Sequence, residues 1–248
     1  MSINMEFAYP KDMERAKKEK WPIILPVGTM EYHSHHCPYG CDSLVAMGVA
    51  REFAKTRDCI LLPPVWYGVS SYAVAGPEKF TIDMDVDVLE SYVYNILKSL
   101  FKSGLTRNIC IVIFHQSEDF NPTALACMKA ARKLIFEYLE EADGYGWWGD
   151  NKKGIQYDDV PKTEHPWNWI RVFNGARTDK FPGDHAGKYE CSLLEYLYPG
   201  SVHTDEITQD SEWFTMSAKE MSADIGKEWL EEFFKKMNNA LDNGVKPY

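Results

Sequence analysis

The chain has 248 residues, of which 45% are hydrophobic, and 27 basic against 37 acidic residues give it a formal net charge of −10. That length permits a sizeable buried core, whereas the acidic excess and the lack of a basic stripe exclude nucleic acid from the expected partners. No apolar run reaches the roughly 20 residues of a membrane span, and the N-terminus lacks the apolar run of a signal peptide, so we expect a cytoplasmic protein with no membrane partner.

Short apolar runs alternate along the chain with helical patterns. The runs PIILPV, CILLPPV and ICIVIF are unbroken by polar residues and predict strands covered on both faces, at 22–27, 59–65 and 109–114. Helical patterns with recognisable start or stop signals occupy 42–56, 86–104 and 121–141. SAKE at 217–220 fits a capping box ahead of a C-terminal helix, whose apolar residues then recur every four positions.

This alternation predicts an α/β fold with a mainly parallel sheet and helices on both of its faces. We find no internal repeat and no charged linker, so we predict a single domain over 1–248. In such folds ligands bind beyond the carboxyl ends of the strands. A functional site is therefore expected after 22–27 and after 109–114.

The segment 142–170 has no helical or strand period, yet it holds four of the eight tryptophans. Long irregular segments of compact domains are usually binding loops, lids or disorder, and disordered segments are poor in aromatic residues. The segment is therefore expected to be an ordered lid or a subunit interface.

Six cysteines are scattered along the chain. Cys59 and Cys110 lie in strand-like runs, as expected for reduced, buried thiols. Cys37 and Cys41 have C-x3-C spacing, but the absence of a second such pair disfavours a zinc–thiolate site.

Three segments each combine histidine with a carboxylate. GTMEYHSHHCPYGCD (28–42) carries Glu31, His33 and Asp42 directly behind the first predicted strand, and the alternative for it is a solvated polar loop. His115 ends the third predicted strand and is closely followed by Glu118, and GDHAGKYECS (183–192) supplies a further histidine and glutamate. Imidazole and carboxylate together are typical ligands of divalent metal ions, and three such segments are enough for a two-metal site.

Two of these segments resemble the signatures of the creatininase (creatinine amidohydrolase) family. LPVGTMEYHSHHCPYGCD (25–42) matches the first signature at five positions, which are Glu31, His33, His36, Pro38 and Asp42. GDHAGKYECS matches the second at His185, Gly187, Glu190 and Ser192, so the likeness spans about residues 20–200. The resemblance implies a three-layer α/β/α sandwich, hydrolysis of non-peptide C–N bonds, and assembly as a homo-oligomer, with several members hexameric.

The resemblance also implies two divalent metal ions per chain, commonly zinc or manganese. Glu31 and His115 would bind one ion, His33 would bind the other, and Asp42 would bridge them. In one branch of the family the last ligand is a glutamate two residues after the strand-end histidine, where this chain has Ser117. Glu118 is therefore assigned after an assumed one-residue insertion.

Glu190 is the alternative for that last ligand. Ser71 matches a substrate-contacting serine of the same branch, although a turn residue before a loop is an equal reading of it. Trp167 and Trp169 are candidates for an aromatic wall over the substrate, with a subunit contact as the alternative. A small-molecule amide is the expected partner.

The predicted chemistry follows from the charges of the centre. Two divalent ions with three carboxylates leave about +1, which favours a bridging hydroxide at neutral pH, because metal binding lowers the pKa of water to about 7. That hydroxide would attack the carbonyl carbon of a small amide, cyclic amides included. His185 would protonate the leaving nitrogen, with Asp184 as a candidate assistant. A catalytically inactive ligand-binding or scaffold protein is the alternative, motivated by FHQSED around the strand-end histidine.

Overall fold

A five-stranded parallel sheet forms the centre of the protein in a computed structural model that describes residues 2–115, 121–149, 160–178, 180–208 and 212–244. The strands, in chain order, are β1 (Ile3–Asn4), β2 (Ile23–Val27), β3 (Ile60–Leu61), β4 (Ile109–Ile113) and β5 (Ile170–Asn174). Their order in the sheet is β1-β3-β2-β4-β5, and every neighbouring pair is parallel. The two long central strands, β2 and β4, therefore end at the same edge.

Six α-helices lie in the described part of the chain. They are α1 (Pro10–Lys18), α2 (Cys41–Thr56), α3 (Val86–Ser103), α4 (Pro122–Asp143), α5 (Lys188–Leu197) and α6 (Ala223–Asn243). None of these helices has the length and apolar character needed to cross a bilayer.

The helices cover both faces of the sheet. Successive side chains of a strand point to opposite faces, so each strand contributes to two cores. Ile23, Leu25 and Val27 of β2 pack into one core with side chains of α1, α3 and α4. Ile24 of β2 and Cys110 of β4 pack into a second core with side chains of α2, α5 and α6. The predicted α/β class and its three-layer α/β/α arrangement are confirmed.

The predicted elements agree with the structure except at short or composite segments. Of the predicted strand 59–65, only Ile60 and Leu61 pair as a strand, and β1 and β5 had not been predicted. The capping box at 217–220 is wrong. Ser217 instead accepts a hydrogen bond from the backbone amide of Lys188, and residues 213–220 form a 3-10 helix. Ser222 caps α6 through the amide of Asp224.

The tryptophan-rich segment joins the end of α4 to the start of β5. Since α4 runs antiparallel to the strands, this connection lies at the amino edge of the sheet, where the amide of Ile109 donates to the carbonyl of Trp169. The described part of the segment contains 3-10 turns at Lys162–Glu164 and Pro166–Asn168. Its two ends are at the edge opposite to the carboxyl ends of β2 and β4.

Gly28, directly after β2, allows the chain to pass against the first turn of α2. A Cβ at this position would lie 2.4 Å from the backbone nitrogen of Ser43. Real Cβ atoms do not approach backbone that closely, so only glycine lets this loop and α2 meet.

Gly28→Ala is expected to lower the free energy of unfolding by about 1–3 kcal/mol or more, because backbone rather than a flexible side chain must move. Urea unfolding followed by circular dichroism measures this change. The matched control is Gly40→Ala in the same loop, where a Cβ would meet the sulfur of Met30 at an ordinary 3.4 Å. Equal stability of the two variants would contradict the close-approach explanation.

Candidate metal centre

Four ionisable side chains meet beyond the carboxyl edge of the sheet. The loop after β2 carries Glu31 and His33, the first turn of α2 carries Asp42, and His115 follows β4. All four are buried, with between 1% and 4% of their surface exposed. Buried ionisable groups need partners that offset their lost hydration. The contacts among these residues therefore decide what the site can bind.

Glu31, Asp42 and His115 form a first group of donors. Nδ1 of His115 lies 3.0 Å from Oδ2 of Asp42 and 3.3 Å from Oε1 of Glu31. Its Nε2 donates to the carbonyl oxygen of Val69 at 2.9 Å, and the hydroxyl of Thr29 donates to Asp42. A backbone carbonyl that holds one ring N–H turns the other nitrogen toward the centre, as in many metal-binding histidines.

His33 provides the donor of a second group. Its Nδ1 lies 3.0 Å from the backbone carbonyl oxygen of Glu31, to which it donates. Its Nε2 faces two carboxylates, at 3.5 Å from Oδ1 of Asp42 and 3.4 Å from Oε2 of Glu190. Within the described chain, this buried nitrogen has no hydrogen-bond partner. A cation between His33 and the two carboxylates would satisfy it.

Glu190 is held in position by the turn that precedes α5. Its Oε2 accepts the backbone amide of Ala186 at 2.7 Å, and Ala186 has a left-handed φ of 48°. Asp184 accepts the backbone amides of Tyr189 and Glu190, both at 2.9 Å. These amides belong to the first turn of α5, so the carboxylate of Asp184 caps this helix.

Glu118 is the predicted last ligand, and Glu190 is its alternative. Glu190 lies beside His33, and one of its oxygens lies within 4.8 Å of donor atoms of His33 and Cys41. Glu118 lies outside the described residues. The described geometry supports Glu190 as a candidate ligand.

The electrostatics of the cluster suit a cation. Burial lowers the pKa of His33, but the carboxylates of Glu190 and Asp42 outweigh it and raise this pKa well above 6.5. Burial raises the pKa of Asp42, but His115 and His33 outweigh it and lower this pKa well below 3.8. In the protein without bound metal, the carboxylates thus favour the protonated form of His33 and His115. Divalent ions would supply the same positive charge and release those protons, and imidazole with carboxylate ligands suits zinc and manganese.

His185 lies at the rim of the cluster. Its Nε2 donates to the carbonyl oxygen of Tyr32 at 2.9 Å, and its Nδ1 lies 3.6 Å from Oε1 of Glu31. Its ring stacks on that of His33, with centroids 4.2 Å apart. Burial and the neighbouring His33 lower the pKa of His185 to about 4. The ring is therefore neutral at neutral pH, with the lone pair of Nδ1 directed toward the cluster.

A cavity of about 480 Å³ opens onto these residues. Ser70 and the cluster give it polar walls, while Phe214 and Trp213 contribute aromatic walls. Phe214 contacts the ring of His185 edge-on at 5.1 Å, and Trp213 is 88% exposed. Sequence reasoning missed both aromatic residues, since no motif marks them. The adjacent pair WF at 213–214 was the available signal.

The three residues predicted to contact substrate do not line this cavity within one chain. Ser71 is exposed and donates its amide to Asp83 at 2.9 Å, while the preceding Ser70 lines the cavity. Trp167 and Trp169 pack against the sheet core at its amino edge. The reason is topological, because the helix-to-strand connection that carries them lies at that edge. A role for these indoles at a substrate of a neighbouring subunit, or in a subunit contact, stays a prediction.

Comparison with known proteins relates this chain to an enzyme family. The family model of creatininase (creatinine amidohydrolase) matches residues 8–245. Creatinine amidohydrolase of Pseudomonas putida is 24% identical over 194 residues, which cover 75% of this chain and 67% of the relative. Mycofactocin precursor peptide peptidase of Mycolicibacterium smegmatis is 26% identical over 191 residues, covering 75% of this chain but only 61% of that relative.

Solved structures of creatininases have the same fold as this chain. A manganese creatininase superposes with a TM-score of 0.67 at 19% identity, covering 97% of this chain and 98% of the other. A Zn–Zn form of a creatininase variant gives a TM-score of 0.69 at 18% identity, covering 97% of each chain.

Asp184→Ala is expected to lower the free energy of unfolding by about 1 kcal/mol, since the first turn of α5 loses its cap. It should also weaken Mn²⁺ binding, because Glu190 lies on that turn. The matched control is Ser222→Ala, which removes the cap of α6 and should leave Mn²⁺ binding unchanged. Urea unfolding and isothermal titration with Mn²⁺ measure the two effects. Unchanged Mn²⁺ affinity in a destabilised Asp184→Ala protein would show that Asp184 does not position Glu190 for metal binding.

Proposed function

Because the chain belongs to the creatininase family of amidohydrolases, we propose that it is a dinuclear metal-dependent hydrolase which cleaves a C–N bond of a small amide. The observation that carries this proposal is the buried Nε2 of His33, which faces the carboxylates of Asp42 and Glu190 and has no hydrogen-bond partner among the described residues. A buried nitrogen that faces two carboxylates without a hydrogen bond to either is the arrangement expected around a cation.

The ligands divide into two sets that share Asp42. Glu31, Asp42 and His115 would hold one ion, and His33, Asp42 and Glu190 would hold the other. Oδ1 of Asp42 faces His33 and Oδ2 faces His115, which supports a bridging role. Zinc and manganese are the metals that the names of the two solved relatives carry. The full donor set of the second group argues against the inactive-scaffold alternative.

The bound ions would polarise a carbonyl oxygen and lower the pKa of water to about 7. The chain's own contribution to catalysis is proton transfer by His185. The Nε2 proton of neutral His185 is held by the carbonyl of Tyr32, so His185 is proposed to take a proton at Nδ1 from the attacking water and to return it to the leaving nitrogen. Its hydrogen bond to the carbonyl of Tyr32 keeps Nδ1 directed toward the centre.

The substrate class follows from the cavity. About 480 Å³ admits a small molecule, and the described walls combine carboxylate and imidazole with the aromatic faces of Trp213 and Phe214. A planar amide group is complementary to such walls. The P. putida relative is named for creatinine and the M. smegmatis relative for a precursor peptide. Family membership thus leaves open which amide is cleaved, and homo-oligomerisation remains a prediction.

The central experiment measures bound Mn²⁺, an ion that prefers oxygen ligands over thiolates. Two ions per chain are expected in the unmodified protein. Glu190→Gln should retain one, and Asp42→Asn should lose affinity for both and abolish amide hydrolysis without unfolding the chain. Elemental analysis after gel filtration, with turnover of an amide panel followed by NMR, gives both readouts.

The matched control is Glu220→Gln, which alters an exposed carboxylate paired with Lys188 and should keep two ions. Two ions bound by Glu190→Gln at full occupancy would sink the assignment of Glu190. Normal turnover by a fully loaded Asp42→Asn protein would sink the bridge.

Trp213 is proposed to cover the substrate, because the residue before it is firmly anchored. Glu212 accepts hydrogen bonds from Tyr32 at 2.7 Å, Ser34 at 2.9 Å and Lys79 at 2.7 Å. Burial raises the pKa of Glu212, but these donors outweigh it and lower the pKa to about 2. The indole thus extends from a fixed point at the mouth of the cavity, where it can exclude water from the reaction.

Trp213→Ala is expected to lower turnover at least roughly tenfold, about 1.4 kcal/mol of barrier, with the Mn²⁺ content unchanged. The matched control is Trp148→Ala, which removes an indole that is 43% exposed and lies in the tryptophan-rich segment. Steady-state kinetics of both variants test the proposal, and equal turnover of the two would refute a covering role for Trp213.

A further inference from the structure

A second group of donor atoms lies next to the proposed metal pair and plays no part in it. His36, Cys37 and Cys191 each offer one donor atom, and these three atoms lie within 4.8 Å of one another. The sulfurs of Cys37 and Cys191 are 3.4 Å apart, although 154 positions separate these residues in the chain. Cys191 is fully buried and Cys37 is half-buried, so the group lies just beneath the surface.

The imidazole of His36 leaves one ring nitrogen available as a ligand. It is 2% exposed, and its Nε2 donates to the carbonyl oxygen of Ala186 at 2.8 Å. A ring that is protonated at Nε2 has its lone pair on Nδ1. That nitrogen is buried and has no hydrogen-bond partner among the residues that the structure describes. A backbone carbonyl on one nitrogen with the other left free is the usual arrangement of a metal-binding histidine.

We propose that His36, Cys37 and Cys191 form a separate site for a thiophilic divalent cation of the Zn²⁺ type. One imidazole and two sulfurs are a softer donor set than the carboxylates and imidazoles of the metal pair. Binding forms two metal–sulfur bonds and one metal–nitrogen bond, and the two thiol protons are released to solvent. A water molecule would complete a tetrahedral site.

The sulfur separation favours an ion over a disulfide. Two thiolates at the usual Zn–S distance of about 2.3 Å in a tetrahedral site are about 3.8 Å apart. The observed 3.4 Å therefore needs to widen by only a few tenths of an ångström. A disulfide requires about 2.05 Å, a far larger movement of two packed segments.

An ion at this site would join two segments that carry ligands of the metal pair. Cys37 follows the loop of His33, and Cys191 is adjacent to Glu190 in α5. The ion would thus link the loop after β2 to the first turn of α5, next to the metal pair. The site does not depend on the proposed hydrolysis, since its donors are separate, and it is tested without a substrate.

The test uses Co²⁺ in place of Zn²⁺, because thiolate-bound Co²⁺ has a sulfur-to-metal charge-transfer absorption in the near ultraviolet. The reduced protein is titrated with Co²⁺, and the thiolate absorption rather than the ion count reports this site, because Co²⁺ also displaces Mn²⁺ from imidazole and carboxylate ligands. One thiolate-bound Co²⁺ per chain is expected, with an absorption corresponding to two thiolate ligands. The double variant Cys37→Ser, Cys191→Ser should lose this absorption and should still bind two Mn²⁺ ions when it is loaded with Mn²⁺ alone.

Two controls make the assignment specific. Cys41→Ser removes the thiol that groups with His33 and Glu190, and Cys127→Ser removes a buried thiol within α4. Both should keep the absorption. Should the double variant fail to fold, Cys37→Ser alone, at the half-buried position, should halve it.

The proposal is overturned by absence of the absorption in the unmodified protein, by its persistence in the folded double variant, or by its loss in Cys41→Ser. A Cys37–Cys191 disulfide in protein purified without reductant, with no Co²⁺ absorption after reduction, would overturn it as well. Failure of the unmodified protein to bind two Mn²⁺ ions when it is loaded with Mn²⁺ alone, by contrast, would count against the metal pair and not against this site.

Discussion

The carboxylate of Asp42 is the group on which the arrangement of the site depends. It occupies the first turn of α2, accepts a hydrogen bond from Thr29, and turns one oxygen to His33 and the other to His115. A buried carboxylate with two histidine partners is stable only while those partners stay in place. The close approach of Gly28 to α2 delivers Asp42 to this position, so a backbone contact without any side chain underlies the electrostatics of the centre.

Sequence patterns predicted much of the fold because the central strands and long helices obey simple periods. Unbroken apolar runs marked β2 and β4, and the helical patterns gave α2, α3 and α4 nearly residue by residue. β5 was missed because Arg171 and Asn174 interrupt its apolar character. The capping-box prediction was wrong because the hydroxyl of Ser217 accepts a hydrogen bond from the amide of Lys188 at the start of α5. Local sequence cannot reveal this contact.

The metal-binding candidates were predictable where motif spacing fixes them and not where distant segments meet. Glu31, His33 and Asp42 lie close together in the chain, and His115 follows a strand that the sequence identifies. The proximity of Glu190 to His33, and of Cys191 to Cys37, depends on how α5 packs beside the loop after β2. The place of the tryptophan-rich segment at the amino edge of the sheet follows from the direction of α4, which aromatic content alone does not indicate.

Ala186 contacts residues of both proposed metal sites. Its amide holds Glu190 and its carbonyl holds His36, across 150 positions of sequence in the latter case. Its left-handed backbone carries a cost that tertiary contacts have to offset. Glu190 and His36 are therefore both positioned by one residue of the turn before α5. A change in the backbone of this turn would move a candidate ligand of the metal pair and the imidazole of the sulfur-containing site together.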